Sequence, residues 1–329
     1  MSEFGLSDID AGLSERVTKS MAEVENQLRA SVESNYPFVT QTSRHLVDAG
    51  GKRFRPLLVL LAAELGKPES PEVVPAAVVV ELTHLATLYH DDVMDEAALR
   101  RGADSANARW DNTVAILTGD FLFARASDIL ADLGPAAVRI QARTFERLVI
   151  GQIRETVGIQ AGDDPVEHYL SVVSDKTGSL IATSGQFGAL MAGASAEVVD
   201  IMTRFGESIG VAFQLADDVL DVSSDSEQSG KTPGTDLREG VRTLPVLHAL
   251  ASSDAADKEL QDLLVADLSD DARLERTLEL LRASSAMDKA RADLLRYADR
   301  SRALLSPLPA GPARAALEDI CDVVVSRSA

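Results

Sequence analysis

The sequence predicts an all-α protein, a single domain over residues 1–329 built from roughly a dozen or more helices. Three observations carry this. Hydrophobic residues make up 45% of the 329-residue chain but aromatic residues only 4%, and an Ala-, Leu- and Val-rich composition with few aromatics favours helix over sheet. Helix-length apolar patterns follow one another from residue 13 to 326, separated by short breakers. No run alternates apolar and polar residues as a half-buried strand does.

Residues 13–34 place Leu13, Val17, Met21, Val24 and Leu28 on one helical stripe. The stretch from Pro56 to Leu65 is almost wholly apolar, too long for a typical strand, and opens with a proline suited to a helix start. KPESPEVVP, residues 67–75, is a loop leading into an apolar helix over 76–95 that turns polar only at its end. Helical patterns continue over 112–132, 135–161, 165–192 and 197–223. Residues 223–243, SSDSEQSGKTPGTDLREGVRT, break the series. A stretch this long and rich in Gly, Ser and charge is expected to be a flexible functional loop. Helices resume over 244–252, 257–267, 270–284 and 286–306, and SPLPAGP at 306–312 precedes a last one over 313–326.

Composition excludes several function classes. With 52 acidic against 32 basic residues, a net charge of -20, nucleic acid is not expected as a partner, because phosphate backbones select basic faces. The single cysteine, Cys321, excludes a disulfide framework and cysteine-clustered metal sites, and suits a reducing, cytoplasmic location. The start, MSEFGLSDIDAGLSERV, has no basic segment followed by an apolar run, so no signal peptide is expected. Charge interrupts every apolar run before 18 residues, so no membrane span is expected either.

Two aspartate clusters stand out. Asp91, Asp92 and Asp95 form one DDxxD; Asp217, Asp218 and Asp221 form another, and each closes an apolar helix. First and fifth positions share a helical face, so the carboxylates gather at a helix end, where like charge and the helix dipole are both unfavourable. A cation is expected to compensate, and an oxygen-only donor set points to Mg²⁺ with water and phosphate completing its shell. Asp163 and Asp164 are acidic too, but they open a helix at Pro165, where capping explains them. Glycine-flanked cations supply the counterpart: Lys52, Arg53 and Arg55 in GGKRFRP, Arg100 and Arg101 after the first cluster, Lys176 in KTG, and Lys231. Arginine forks and lysine point charges suit diphosphate oxygens. His84, seven residues before Asp91, lies on nearly the same helical face.

GGKRFRP, HDDVMD with RRG following, KTG, GVAFQLADDVLD and GKTPGTDL occur in that order. On these motifs the chain closely resembles the trans-isoprenyl (polyprenyl) diphosphate synthase family from about Gly50 to Pro245. The resemblance implies the isoprenoid synthase fold, a helical bundle around a deep central cavity, usually as a homodimer. It implies that both aspartate motifs hold an allylic diphosphate (farnesyl or geranylgeranyl) through Mg²⁺, about three ions per loaded site. Lys52, Arg55, His84 and Arg101 would bind isopentenyl diphosphate, and Arg100, Lys176 and Lys231 the allylic diphosphate. Thr177 and Gln214 would line the reacting carbons, and Gln152 matches a further polar position. The family commonly reads DLxEGKxTLP where this chain has Val241 and Arg242.

The chemistry implied is head-to-tail condensation by electrophilic alkylation. Charge developing on the departing diphosphate is stabilised, and water is kept from the allylic cation. The small residues Ala86, Thr87 and Thr83, one and two turns before Asp91, leave room for a growing tail. This brings the resemblance closest to long-chain synthases, with products of about six to ten isoprene units, each roughly a helical turn long. Such products commonly become quinone side chains, and their release suggests transient membrane contact. Phe145, on a neighbouring helix, is a candidate floor or an ordinary core residue. A geranylgeranyl diphosphate synthase and a noncatalytic subunit of a heteromeric synthase are the alternatives. A terpene cyclase normally lacks the second DDxxD, and noncatalytic subunits typically lose aspartates that are all present here.

Overall fold

The computed structural model describes residues 10–223 and 233–326, nearly all in helices joined by short turns. They gather into two compact units interleaved along the chain. The first takes Met1–Glu146, Leu180–Gly206 and Pro307–Leu317, the second Arg147–Ser179, Glu207–Ser306 and Glu318–Ala329.

In the first unit α1 (Ala11–Ser31) starts at Asp10, whose carboxylate accepts from the Leu13 amide at 2.9 Å, a cap worth about 1 kcal/mol. Leu13, Val17, Val24 and Leu28 form its buried stripe, with Met21 half-buried at the edge. Helix α2 (Pro37–Asp48) lies where the sequence shows no clear helical pattern. It is short and polar, and it buries Thr42, Ser43, Leu46 and Val47. Helix α3 (Phe54–Ala63) is buried from Pro56 on.

Helix α4 (Val73–Met94) is the spine of this unit and packs on α1, on α3 and on α6 (Asn112–Leu133). Although charge interrupts its apolar run, it is long and apolar enough to cross a membrane by length and composition. With 67% of its apolar window buried in the protein, it is a core helix that is hydrophobic all round. Among the described residues one ladder exists, where β1 (Leu99–Arg100) pairs antiparallel with β2 (Ala103–Asp104). No strand was expected. Arg101 and Gly102 make its turn with φ of 54° and 78°, the doubly left-handed geometry of the tightest hairpins. The short α5 (Ala106–Arg109) follows.

Helix α7 (Pro135–Val157) begins in the first unit and ends in the second. It stops four residues before the expected 161, because Gly158 takes φ 74° and its amide closes on the Arg154 carbonyl at 2.9 Å. The single helix expected over 165–192 is α8 (Pro165–Val173), a π-helical turn (Ser174–Gly178) and α9 (Ser179–Met191) in unbroken succession. In the first unit α9 touches α3 backbone to backbone. A Cβ on Gly188 would fall 2.1 Å from the Val59 carbonyl oxygen. Helix α10 (Ala196–Ser223) carries the second aspartate motif at its end, within the second unit.

Of the stretch expected to be a loop, 224–232 lie outside the described residues, and α11 (Thr235–Arg238) forms in the remainder. Then come α12 (Leu244–Leu250), α13 (Lys258–Leu264), α14 (Asp271–Ala283), α15 (Ser285–Leu304) and α16 (Pro312–Ser326), close to the expected bounds. Cys321 is buried on α16, and burial pushes its thiol up to about 12, which makes it inert.

Candidate active site

In the first unit α4 delivers its aspartates at the helix end. The three do not share one environment. Asp95 is exposed, Asp91 half-buried and Asp92 completely buried. The hairpin after α4 folds Arg100 back so that its Nε donates to Asp92 Oδ1 at 2.6 Å. Asp92 Oδ2 is buried with no hydrogen-bond partner among the described residues. Burial raises the Asp92 pKa, and Arg100 offsets this only in part. Beside Asp91, the His90 ring lies 3.1 Å from the Ile116 carbonyl oxygen over α6, where a Cβ on Gly119 would fall 2.3 Å from His90 Nε2. Only glycine leaves room for that ring.

The cations of GGKRFRP also divide. Arg53 adopts a left-handed φ of 51° and turns inward, donating to Glu25 at 2.6 Å, to Glu81 at 2.8 Å and to the Val47 carbonyl at 2.9 Å. It is a structural pin. Lys52 is exposed. Arg55 is enclosed yet still reached by water, and its Nε is buried with no hydrogen-bond partner among the described residues. Burial pushes its guanidinium down to about 10, with Glu81 opposing and Arg101 adding. Arg101 lies against the Gly51 backbone and donates to the carbonyls of Leu46, at 3.1 Å, and Gly50. Burial, then Arg55, Arg101, Arg100 and Arg53, hold His84 well below its ordinary pKa. The result is a cluster of arginines around a neutral imidazole, with Glu81 paired to Arg53 at 2.8 Å and 4.0 Å from Arg101. The buried Arg55 Nε is costly until an acceptor meets it. Arg53, Glu96 and Arg101 are the non-glycine residues with positive φ among the described residues, and all three flank this site, as stored backbone strain tends to do.

Along α4 the water-reached face before the aspartates is His84, Thr87 and Leu88. Thr87 is on it. Ala86 and Thr83 are fully buried, and the Thr83 hydroxyl accepts from Gln141 at 2.7 Å while donating to the Val79 carbonyl at 2.8 Å. Tyr89 points away into the core, donating to the Thr42 carbonyl at 2.5 Å. Phe145 is 36% exposed, its ring 4.4 Å from that of Phe123.

The second unit holds the other motif. Asp218 is 2% exposed and bound entirely by neutral donors: the Tyr169 hydroxyl, Gln214 Nε2 at 3.0 Å and the Leu244 amide at 3.4 Å. Burial pushes its pKa up to about 6, which those hydrogen bonds only partly counter. Asp217 and Asp221 are half-buried. The Asp221 carboxylate accepts from the amides of Thr235 and Asp236, both at 3.3 Å, so it caps α11 and ties GTDL to the end of α10. Lys176 and Thr177 ride on the π-helical turn. Lys176 donates to Glu155, and the Thr177 hydroxyl reaches Gln214 Oε1 at 3.4 Å. Gln152 presents a buried, unpartnered amide oxygen. Val241 and Arg242 are both exposed. Lys231 lies outside the described residues.

The first unit therefore assembles Asp91, Asp92, Asp95 and Arg100, and beside them Arg55, His84 and Arg101. The second assembles Lys176, Thr177, Gln214, Asp217, Asp218 and Asp221. Residues that the sequence alone does not single out do supporting work: Glu25, Glu81, Gly119 and Tyr169. No local motif marks them, because their partners are far away in sequence. Among the described residues no three His, Cys, Asp or Glu side chains form a ready metal cage. The donor set is carboxylate oxygen throughout, and it fits hard cations that keep water and phosphate in their shell.

A family model described as polyprenyl synthetase matches residues 36–281. The chain belongs to the polyprenyl synthetase family. As a member of it, the chain is a prenyltransferase. It is 49% identical over 319 residues to a nonaprenyl diphosphate synthase of Mycobacterium tuberculosis, covering 97% of this chain and 95% of that one. The crystal structure of a geranylgeranyl pyrophosphate synthase from Corynebacterium glutamicum complexed with calcium and isoprenyl diphosphate matches at TM-score 0.89 and 47% identity, over 98% of this chain and 99% of that one. A decaprenyl diphosphate synthase from Rhodobacter capsulatus matches at TM-score 0.88 and 34% identity, over 96% and 98%. The architecture is the all-α isoprenoid synthase fold.

Proposed function

We propose that this synthase condenses isopentenyl diphosphate head to tail onto an allylic diphosphate, farnesyl or geranylgeranyl, and makes an all-trans long-chain product for a quinone side chain. The observation that carries the substrate class is the enclosed, unpartnered Arg55 beside Arg101 and neutral His84. It is a preformed anion socket next to a carboxylate-tipped helix. Lys52, Arg55, His84 and Arg101 hold isopentenyl diphosphate. Arg100, Lys176 and Lys231 hold the allylic diphosphate. Asp91, Asp92, Asp95, Asp217, Asp218 and Asp221 would hold magnesium, about three ions per site. When bound, the ions neutralise charge on the departing diphosphate. The allylic C–O bond breaks as Lys176 steadies the leaving oxygens. Thr177 and Gln214 turn oxygen dipoles toward the cationic carbons. The isopentenyl double bond attacks, and the new cation loses a proton to the released diphosphate. Each unit supplies one aspartate motif.

Long product is supported by the nonaprenyl and decaprenyl relatives and by Thr87 on the accessible face of α4. The test is turnover of labelled isopentenyl diphosphate with either primer and Mg²⁺, resolved by product length. A ladder ending at a long polyprenyl diphosphate is expected. A stop at geranylgeranyl length overturns the length assignment, and no incorporation points to a partner-dependent subunit. Thr87→Phe shortens the ladder if the tail runs along that face. Phe145→Ala lengthens it if Phe145 is the floor.

The chain is also proposed to act as a homodimer in the cytoplasm, with transient membrane contact for product release. Phe145, Val149, Ile153 and Val157, spaced by four along α7 and 36–63% exposed, support a self-complementary apolar seam. Ile153→Asp should yield monomers in light scattering. An unchanged product from Phe145→Ala would assign Phe145 to this seam.

A further inference from the structure

Lys176 and Thr177 stand on a π-helical turn, an arrangement that is rare and disfavoured on its own. Relaxing it to a regular helix would shift the register by one residue, turning α8 against α9 by about 100°. Something outside the turn must hold it, and the second unit contains a clasp placed to do so. Arg147 on α7 donates through Nε to Asp175 Oδ1 at 2.9 Å, and through Nη2 to Glu207 Oε1 at 2.7 Å and to the Ser174 hydroxyl at 3.3 Å and carbonyl at 3.4 Å. Ser174 itself donates to Glu207 at 2.8 Å, and Arg154 takes the other Asp175 oxygen at 3.1 Å. One guanidinium thus grips the first two residues of the turn and, through Glu207, helix α10. One turn along α7, Gly151 lets the wide turn seat directly on the helix: a Cβ there would lie 2.8 Å from the Lys176 backbone nitrogen.

We infer that Arg147, with Asp175, Glu207 and Gly151, is the positioning device that holds the π-helical turn and so aims Lys176 and Thr177 at the allylic diphosphate. Burial alone would raise Glu207, but its bonds from Arg147 and Ser174 hold it below its ordinary pKa, so the clasp is ionised at working pH. Arg147 and Glu207 are each more than a third exposed, and a pair so open to solvent contributes little to stability. Losing it should therefore leave the global fold standing and show in the local placement of the turn, which turnover reads.

The inference rests on the role given above to Lys176, and the experiment separates the two. Condensation is measured with wild type, Lys176→Ala, Arg147→Gln, Arg147→Lys and Gly151→Ala, with KM for both substrates and melting temperature recorded. Arg147→Gln is expected to lower kcat roughly 10- to 100-fold, the scale of an ångström-level misplacement, with both KM values and the melting temperature little changed. Arg147→Lys should recover part of the loss. Gly151→Ala should lower kcat likewise by displacing the turn directly, so a poorly folding Arg147 variant leaves the inference testable. A Lys176→Ala loss combined with wild-type kcat in Arg147→Gln or Gly151→Ala overturns the clasp. Wild-type kcat in Lys176→Ala overturns the role of Lys176 itself.

Discussion

The two aspartate motifs share one pattern and live in different chemistry. In the first, buried Asp92 is met by a cation, Arg100, at 2.6 Å. In the second, equally buried Asp218 meets only a tyrosine hydroxyl, a glutamine amide and a backbone amide. In the first motif Asp92 is compensated locally by Arg100 of the hairpin that follows it. In the second, Asp218 is held by neutral donors that leave its own charge without a cation among the described residues, and it is pushed up to about 6. The difference teaches that DDxxD specifies which oxygens reach a helix end, whereas the surroundings decide what each costs when ionised.

The largest expected effect tests whether the motifs are equivalent in catalysis. Asp91→Ala and Asp217→Ala should each lower kcat by roughly 10²–10³, the scale of losing one strong electrostatic stabiliser, in a magnesium-dependent assay. Near-normal turnover in either would break the symmetry and the mechanism with it. Next is the uncompensated charge. Folded Asp218 holds its proton more tightly than an unfolded aspartate near 3.8. In metal-free protein, stability should therefore fall as pH rises from about 4 through 6, with the full penalty, on the order of 2–3 kcal/mol, standing above 6. Asp218→Asn should flatten that dependence in denaturant melts across pH, and an unflattened profile would remove Asp218 as its source. Arg100→Gln should cost about 1–3 kcal/mol by leaving Asp92 buried and unpaired. Adding Asp92→Asn should restore part of it, and an additive double mutant would deny the pairing. The smallest effect is expected of Tyr169→Phe, which removes one donor from Asp218 and should cost about 1 kcal/mol in the same melts.

Much of the architecture was legible along the chain. Helices α4, α6, α10, α14 and α15 lie within a few residues of their patterns, because a buried face repeats every 3.6 residues and breakers bound it. Helix α2 was not legible, since its positions are largely polar and its burial comes from its neighbours. The β1–β2 hairpin was hidden because an Arg-Gly pair carries its turn, with Arg101 held left-handed by bonds to Leu46 and Gly50. The π-helical turn left no local mark either. It depends on Arg147 and on the missing side chain of Gly151, both over twenty residues away.

At the site, residue type and spacing alone determined the oxygen-only clusters and the glycine-flanked cations, and with them the expectation of diphosphate and magnesium. Charge and donor type are properties of single residues, and helical spacing brings them to one face. Only the tertiary structure decided how equal-looking residues divide their tasks. Arg53 became a pin while Arg55 stayed unpaired, Asp92 found Arg100 while Asp218 found Tyr169, and Thr87 stayed open while Thr83 and Ala86 closed into the core. Those outcomes depend on burial and on partners distant in sequence, and desolvation, the largest cause of the shifts at Arg55, His84, Asp92 and Asp218, exists only once the chain has packed.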